Sequence, residues 1–399
     1  MARARLRPFV IRAGEVDGQG TDGVVRRGGD RGPTDHGRGA ASGGSADAGA
    51  QGGWGTVYGG RLAARRVLLL AGESNASYLS RVAAVQGVSV DFLLGELGAG
   101  PPGQQALAPH LAEVFLSRAA VDRLAVMVQM NWPRLRRALP HLREPHLLPG
   151  QQARWDWPWQ PLPHYLVPAC PLCAARRGAS ETAVWLVRPD VWTICRRHDR
   201  FSHVRQVGTQ AVDVRRLPET VRAHRVRLRL ERQWGSAGAF LSADAFAIVG
   251  WWWRRCLFGP VWQDRARRAH LQLTDPGTAW LLLYPEAVQM ARLLLRHERR
   301  RAVTPASQWG RAEAELAAAG SELAAAAGVS AGRWQVPVAE WLALHHRCDA
   351  PARMEGFVPG RDGPAPCVSA VVHHSSNEQG ALEDRCCLPW EWSDPSAPV

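Results

Sequence analysis

The feature that most constrains how this chain can fold is a pair of metal-ligand spacings. Cys170-Pro171-Leu172-Cys173 is followed, after twenty-one residues, by Cys195-Arg196-Arg197-His198. Two intervening residues let both side chains of each knuckle curl back onto one ion. Three thiolates and one imidazole then close a tetrahedral shell, the donor composition of a structural Zn2+ site. A single CxxC would leave a redox role in competition. Paired with a CxxH at this distance, it reads as a metal site rather than as a set of buried free thiols. All four positions are filled, and no HExxH helix or HxE element supplies a general base. The spacing therefore predicts a non-catalytic Zn2+ site at Cys170, Cys173, Cys195 and His198, with His203 a minor alternative to His198. Residues 183–187 and 191–194 are β-prone and flank Arg188-Pro189-Asp190, a turn-like triplet. The expectation is a small β-hairpin that brings the knuckles together, as in a zinc ribbon.

The surrounding chain reads as mainly α. Tyr78, Val82 and Val85 recur at helical spacing, Gly87 supplies a stop, and Ser89 can cap a second helix carrying Phe92, Leu93 and Leu97. A second pair follows. Ser117 caps a helix with Val121, Leu124, Ala125 and Val128; Met130-Asn131 turns the chain; Pro133 opens a basic helix with Arg134, Arg136 and Arg137. Both pairs have the dimensions of a helix-turn-helix, although an αα-hairpin is equally a common packing unit. Further on, helices are expected over residues 218–233, 239–257 and 285–301. The triplet Trp251-Trp252-Trp253 spans about 200° of a helix and so cannot be wholly core.

The resulting organisation is a disordered leader (1–60), a helical domain with helix-turn-helix units (61–150), a zinc-ribbon region (151–210), a second helical domain (211–347) and a disordered tail (348–399). The leader is rich in Gly, Arg, Asp, Ser and Ala and lacks an apolar period, and the tail, with its Pro, Gly, Ser and Asp, reads the same way. Cys348, Cys367, His373, His374, Cys386 and Cys387 are too irregularly spaced to predict a second metal site, and His345-His346 adds nothing local.

Charge narrows the partner. The net charge is +13, and with no lysine in the sequence all 49 basic residues are arginine. A GC-rich bacterial genome accounts for that bias. Its consequence stands regardless, because guanidinium forks bind phosphate bidentately. DNA is the expected partner, contacted by Arg134, Arg136 and Arg137 and, on the CxxH knuckle, by Arg196 and Arg197. The longest apolar runs are too short to span a bilayer, and the cysteine spacing fits a reducing cytoplasm better than a disulfide framework. Without lysine a Walker-type phosphate loop is excluded, and no paired carboxylates suggest nuclease chemistry, so an enzyme is not expected.

The knuckle pair with Trp185 and Trp192 between its halves resembles the TniQ/TnsD family. Gly72-Glu73-Ser74, followed by Ser77-Tyr78-Leu79-Ser80-Arg81-Val82-Ala83, is similar to that family's N-terminal opening. The likeness runs from about residue 65 to 205, and more loosely to about 300. It implies helix-turn-helix units flanking zinc fingers, target-site selection in DNA transposition, attachment to DNA or an RNA-guided complex, and recruitment of a AAA+ ATPase. One departure is plain: many members carry a second CxxC soon after the CxxH, where Phe201-Ser202-His203-Val204-Arg205 runs on here. A stand-alone DNA-binding regulator or a protein-docking adaptor with the same fold is the alternative expectation.

Overall fold

Capping chemistry places the first helices. The computed structural model describes residues 66–101, 109–157, 165–179, 183–204, 211–255, 259–330, 332, 334–346 and 385–388; the expected leader lies outside them. Helix α1 (Asn75–Gln86) starts after Ser74, whose hydroxyl accepts from the Ser77 amide, and ends at Gly87 with φ 70°. In that left-handed conformation the Gly87 amide reaches back to close the last turn, which a Cβ would disfavour. Ser89 caps α2 (Val90–Leu97). After strand β1 (Phe115–Leu116), Ser117 caps α3 (Arg118–Met127) and Asn131 caps α4 (Trp132–Ala138), with Pro133 in its first turn. Tyr78, Leu79, Val82, Leu94, Leu124 and Leu135 converge in one core with Trp155 and Trp157. Strand β2 (Trp155–Asp156) closes it by pairing antiparallel with β1. Val85 is exposed rather than buried with Tyr78 and Val82.

The strands of the next segment pair differently from expectation. They are β3 (Tyr165–Pro168), β4 (Trp185–Arg188), β5 (Trp192–Cys195), β6 (Arg200–His203) and β7 (Val212–Asp213), with short helix α5 (Pro171–Ala175) after β3. Residues 183–187 and 191–194 do not form a hairpin with each other. Strand β4 pairs antiparallel with β3, whereas β5 pairs with β6, and β6 with β7. The reason lies in what each strand buries. Val184 and Leu186 pack with Leu70, Ala169 and Ala174 in a small cluster. Trp192, by contrast, stacks on Trp280 (centroids 4.7 Å apart) in the C-terminal core. The two strands therefore run to different neighbours, β4 to β3 and β5 to β6.

That C-terminal core is helical. Helix α6 (Pro218–Arg255) covers both helices expected between 218 and 257, broken between them at Gly235 (φ 55°, ψ −133°), a conformation open essentially to glycine. Helices α7 (Pro260–Ala269), α8 (Pro276–Val303), α9 (Trp309–Ala327) and α10 (Gln335–His346) follow, with α6 against α8 the main interface. Helix α8 begins at Pro276, capped by Asp275, rather than at Pro285. The stretch Ala279–Tyr284 is buried on every side, and this burial carries the helix through its internal proline. Pro285 interrupts the hydrogen-bond ladder there, and the nearby Leu282 carbonyl is taken by Arg265 Nη1 at 2.6 Å. Of the tryptophan triplet, Trp252 and Trp253 are buried and Trp251 is half-exposed. Within the expected tail, residues 385–388 are described, and Arg385 and Leu388 are buried against the helices. Among the described residues no helix is long and apolar enough to cross a membrane.

Candidate metal centre

Each knuckle sits where a strand ends. Cys170 follows β3 and precedes α5; its carbonyl accepts from the Cys173 and Ala174 amides at 3.0 Å, which folds the CxxC back on itself. Cys195 closes β5, and its carbonyl accepts from the Asp199 amide at 2.8 Å; Asp199 has φ 47°. The turn carries His198 back over Cys195 before β6 departs.

The four donors then meet. His198 Nδ1 lies 3.5 Å from Cys170 Sγ, 3.3 Å from Cys173 Sγ and 3.7 Å from Cys195 Sγ, and the Cys173 and Cys195 sulfurs are 3.6 Å apart. A tetrahedral ion with bonds of about 2.0–2.3 Å holds its ligands roughly 3.5–3.8 Å apart. The cluster therefore fits one metal ion, and its donor set of three sulfurs and one nitrogen is compatible with zinc. Burial, and then the neighbouring Cys195 thiol, push Cys173 up to about 12; burial also raises Cys170. Three thiols this close cannot all ionise beside one another unless a cation is shared among them. His198 is shifted down, by desolvation and then by Arg176 and Arg197, towards the neutral form that ligates. His203, the alternative ligand, instead lies buried in β6 beside Phe201.

Two carboxylates, Glu73 fully buried and Asp190 partly buried, lie where this segment meets the helices on either side. On the N-terminal side, Gly72-Glu73-Ser74 docks on β4. The Ser74 amide donates to Trp185 O at 2.9 Å, the Val187 amide to Gly72 O at 2.8 Å, and the Trp185 amide to Ser77 Oγ at 3.0 Å. Glu73 beneath them accepts from Arg81 Nη1 at 2.9 Å and from Ser77 Oγ at 3.2 Å. Burial pushes the Glu73 carboxyl above its usual range despite Arg81. On the C-terminal side, Asp190 between β4 and β5 accepts from Arg227 Nη2 of α6 at 2.7 Å and from Arg385 Nη2 at 2.6 Å. Burial would raise Asp190, but the two guanidinium groups prevail and hold it below the usual range. The only advance signal was the Gly-Glu-Ser element.

The five arginines expected at DNA are all exposed: Arg134, Arg136 and Arg137 on α4, and Arg196 and Arg197 in the CxxH turn. None pairs with a carboxylate among the described residues. Arg196 is close enough to α6 to lower His224, which burial and then Arg227 bring down to about 4. On that helix Arg222, Arg225, Arg229 and Arg232 recur at three- and four-residue intervals, hence along one face that is largely open to solvent.

The TniQ family model matches residues 64–201. Comparison with curated proteins and with solved structures finds no match. The matched stretch takes in both N-terminal helix pairs, the docking segment Gly72-Glu73-Ser74 and all four donors of the metal cluster; residues 64–201 are thus a TniQ-family segment.

Proposed function

We propose that this protein is a non-catalytic, DNA-binding target-site selector of the TniQ type, acting in DNA transposition and held together by Zn2+ at Cys170, Cys173, Cys195 and His198. The observation that carries the reading is the TniQ match over residues 64–201, since one match contains both the donor cluster and the arginine-bearing helix α4. In this reading α1–α2 and α3–α4 serve as helix-turn-helix units, and the knuckles form a zinc ribbon with an altered strand pairing. Helix α4 presents Arg134, Arg136 and Arg137 to DNA, and the ribbon presents Arg196 and Arg197. The domain limits are those drawn from the sequence: a leader, two helical domains around the ribbon, and a tail. The place of action is the cytoplasm or nucleoid. The protein partner is a AAA+ ATPase or an RNA-guided complex, and no membrane is involved.

The test is binding of the full chain to a labelled duplex across a salt series. Phosphate contacts make log affinity fall linearly with log salt. Arg134, Arg136 and Arg137 changed together to Ala should weaken binding and flatten that slope by about one unit for each phosphate no longer neutralised. Binding that ignores both salt and these substitutions sinks the reading. A stand-alone DNA-binding regulator is the second reading, favoured by one observation: Phe201-Ser202-His203 lie in β6, where many family members begin a second knuckle. Retention of a AAA+ ATPase on DNA only when this protein is present separates the two.

A further inference from the structure

Away from the knuckles, three more potential donors from distant parts of the chain meet inside the C-terminal helical core. Asp244 comes from the second half of α6, His345 from α10 and Cys387 from the segment 385–388; their donor atoms all lie within 4.8 Å of one another. Asp244 and His345 are 0% exposed, and Cys387 is half-buried against the same core. A carboxylate, an imidazole and a thiol thus converge in an otherwise apolar interior.

Their orientation is that of a ligand set. His345 Nδ1 lies 3.0 Å from Glu298 Oε1 of α8, a contact that turns Nε2 towards the other two donors. Nε2 in turn lies 3.9 Å from Cys387 Sγ and 4.0 Å from Asp244 Oδ2. The second of these is too long for a hydrogen bond. Both are a few tenths of an ångström beyond the roughly 3.3–3.6 Å that such donors take around one tetrahedral ion. An outer carboxylate on the far nitrogen is the usual way a metal-binding histidine is oriented. Asp244 is steadied by Trp341 Nε1 at 3.0 Å and by the Cys387 amide at 2.9 Å.

We propose that Asp244, His345 and Cys387 bind a second metal ion, a divalent cation of the zinc class, with Glu298 positioning His345. One carboxylate and one thiolate supply the two negative charges that balance a dication. Mixed N/O/S donors suit Zn2+ or Co2+ rather than Mg2+ or Ca2+. The ion would tie residues 385–388 to α6 and α10, making this stretch of the tail part of the helical core.

The test is metal titration of the stripped full-length protein with Co2+, whose thiolate charge-transfer and d–d bands report each site. Two equivalents are expected, one per cluster. Cys387→Ser should lose one equivalent and leave the stronger three-thiolate spectrum of the knuckle site in place. Cys170→Ser with Cys173→Ser should abolish that spectrum and retain the other. A wild-type protein that takes up one equivalent, or a Cys387→Ser protein that still takes up two, overturns the proposal and leaves His345 as a structural link between Glu298 and Asp244. Should Cys387→Ser fail to fold, the wild-type chain loaded with 113Cd decides. Two resonances of different thiolate content support the site, and one resonance excludes it.

Discussion

The segment that carries the donor cluster has a desolvated carboxylate at each flank, and the two are built differently. Glu73, on the side of α1, faces one guanidinium, that of Arg81. Asp190, on the side of α6, faces two, from Arg227 and Arg385. Burial disfavours the charge of both. One arginine does not offset that burial at Glu73, whose carboxyl stays above its usual range; two more than offset it at Asp190, whose carboxyl falls below. The two carboxylates also differ in where their cations come from. Arg81 belongs to the same helix that Glu73 precedes, whereas Arg227 and Arg385 lie 37 and 195 residues from Asp190.

The largest effect should come from the Zn2+ that we propose the donor cluster holds. Removing zinc from a structural site forfeits an apparent binding energy of about 10–16 kcal/mol at neutral pH, energy that is folding energy for the segment holding it. Chelation should therefore unfold the β3–β7 region while α6–α10 persist, read as separate thermal transitions before and after chelator. A single unchanged melting curve would show that the knuckles need no metal.

Next in size is Asp190→Asn. It leaves Arg227 and Arg385 buried without their carboxylate, and breaking a buried pair from one side costs about 3–5 kcal/mol. Arg227 keeps Glu231 at 2.6 Å, which should hold the loss to the lower part of that range. Urea unfolding measures it. A cost below that of Glu73→Gln would invert the comparison between the two flanks.

These attachments also mark where the sequence stopped being informative. Ser89, Ser117, Asn131 and Gly87 announce helix ends because capping is local, and the knuckles announce a metal site because both ligands of each lie three residues apart. Strand pairing carried no such signal. Residues 183–187 and 191–194 look like a hairpin at short range, and only the burial of Leu186 in one core and Trp192 in another separates them. Asp190 with Arg385, and Asp244 with His345 and Cys387, lie too far apart for periodicity or spacing to connect. Gly235, inside one arginine-rich and alanine-rich stretch, read as a gap between helices, and it is the break within α6.

Ser77→Ala tests the weaker flank at a smaller scale. The Ser77 hydroxyl both accepts from the Trp185 amide and donates to Glu73. Its loss strands a half-buried backbone donor and removes one donor from a desolvated carboxylate, for a cost of about 1–3 kcal/mol. The loss should appear in the melting of the first helical region, with metal content unchanged. An equal fall in metal content would mean that the docking of β4 and the donor cluster are one cooperative unit.

The smallest effect is the most discriminating, because the two carboxylates should give pH dependences of opposite sign. Asp190 has a depressed folded-state value, so its contribution is complete above the unfolded-state value, about 3.9, and is lost as pH falls through the folded one. Stability of the wild type relative to Asp190→Asn should therefore shrink towards acid. Glu73 has a raised folded-state value, so the folded protein holds that proton longer than the unfolded chain. Relative to Glu73→Gln, the wild type should be most stable below about 4.3 and lose that advantage as pH rises through the raised value. Both differences come from urea unfolding of three proteins at matched pH, where protonation of the metal ligands is common to all three and cancels. Differences of the same sign would mean that Arg81 alone matches the two-arginine clamp, and the distinction between the flanks would then have to rest on geometry rather than charge.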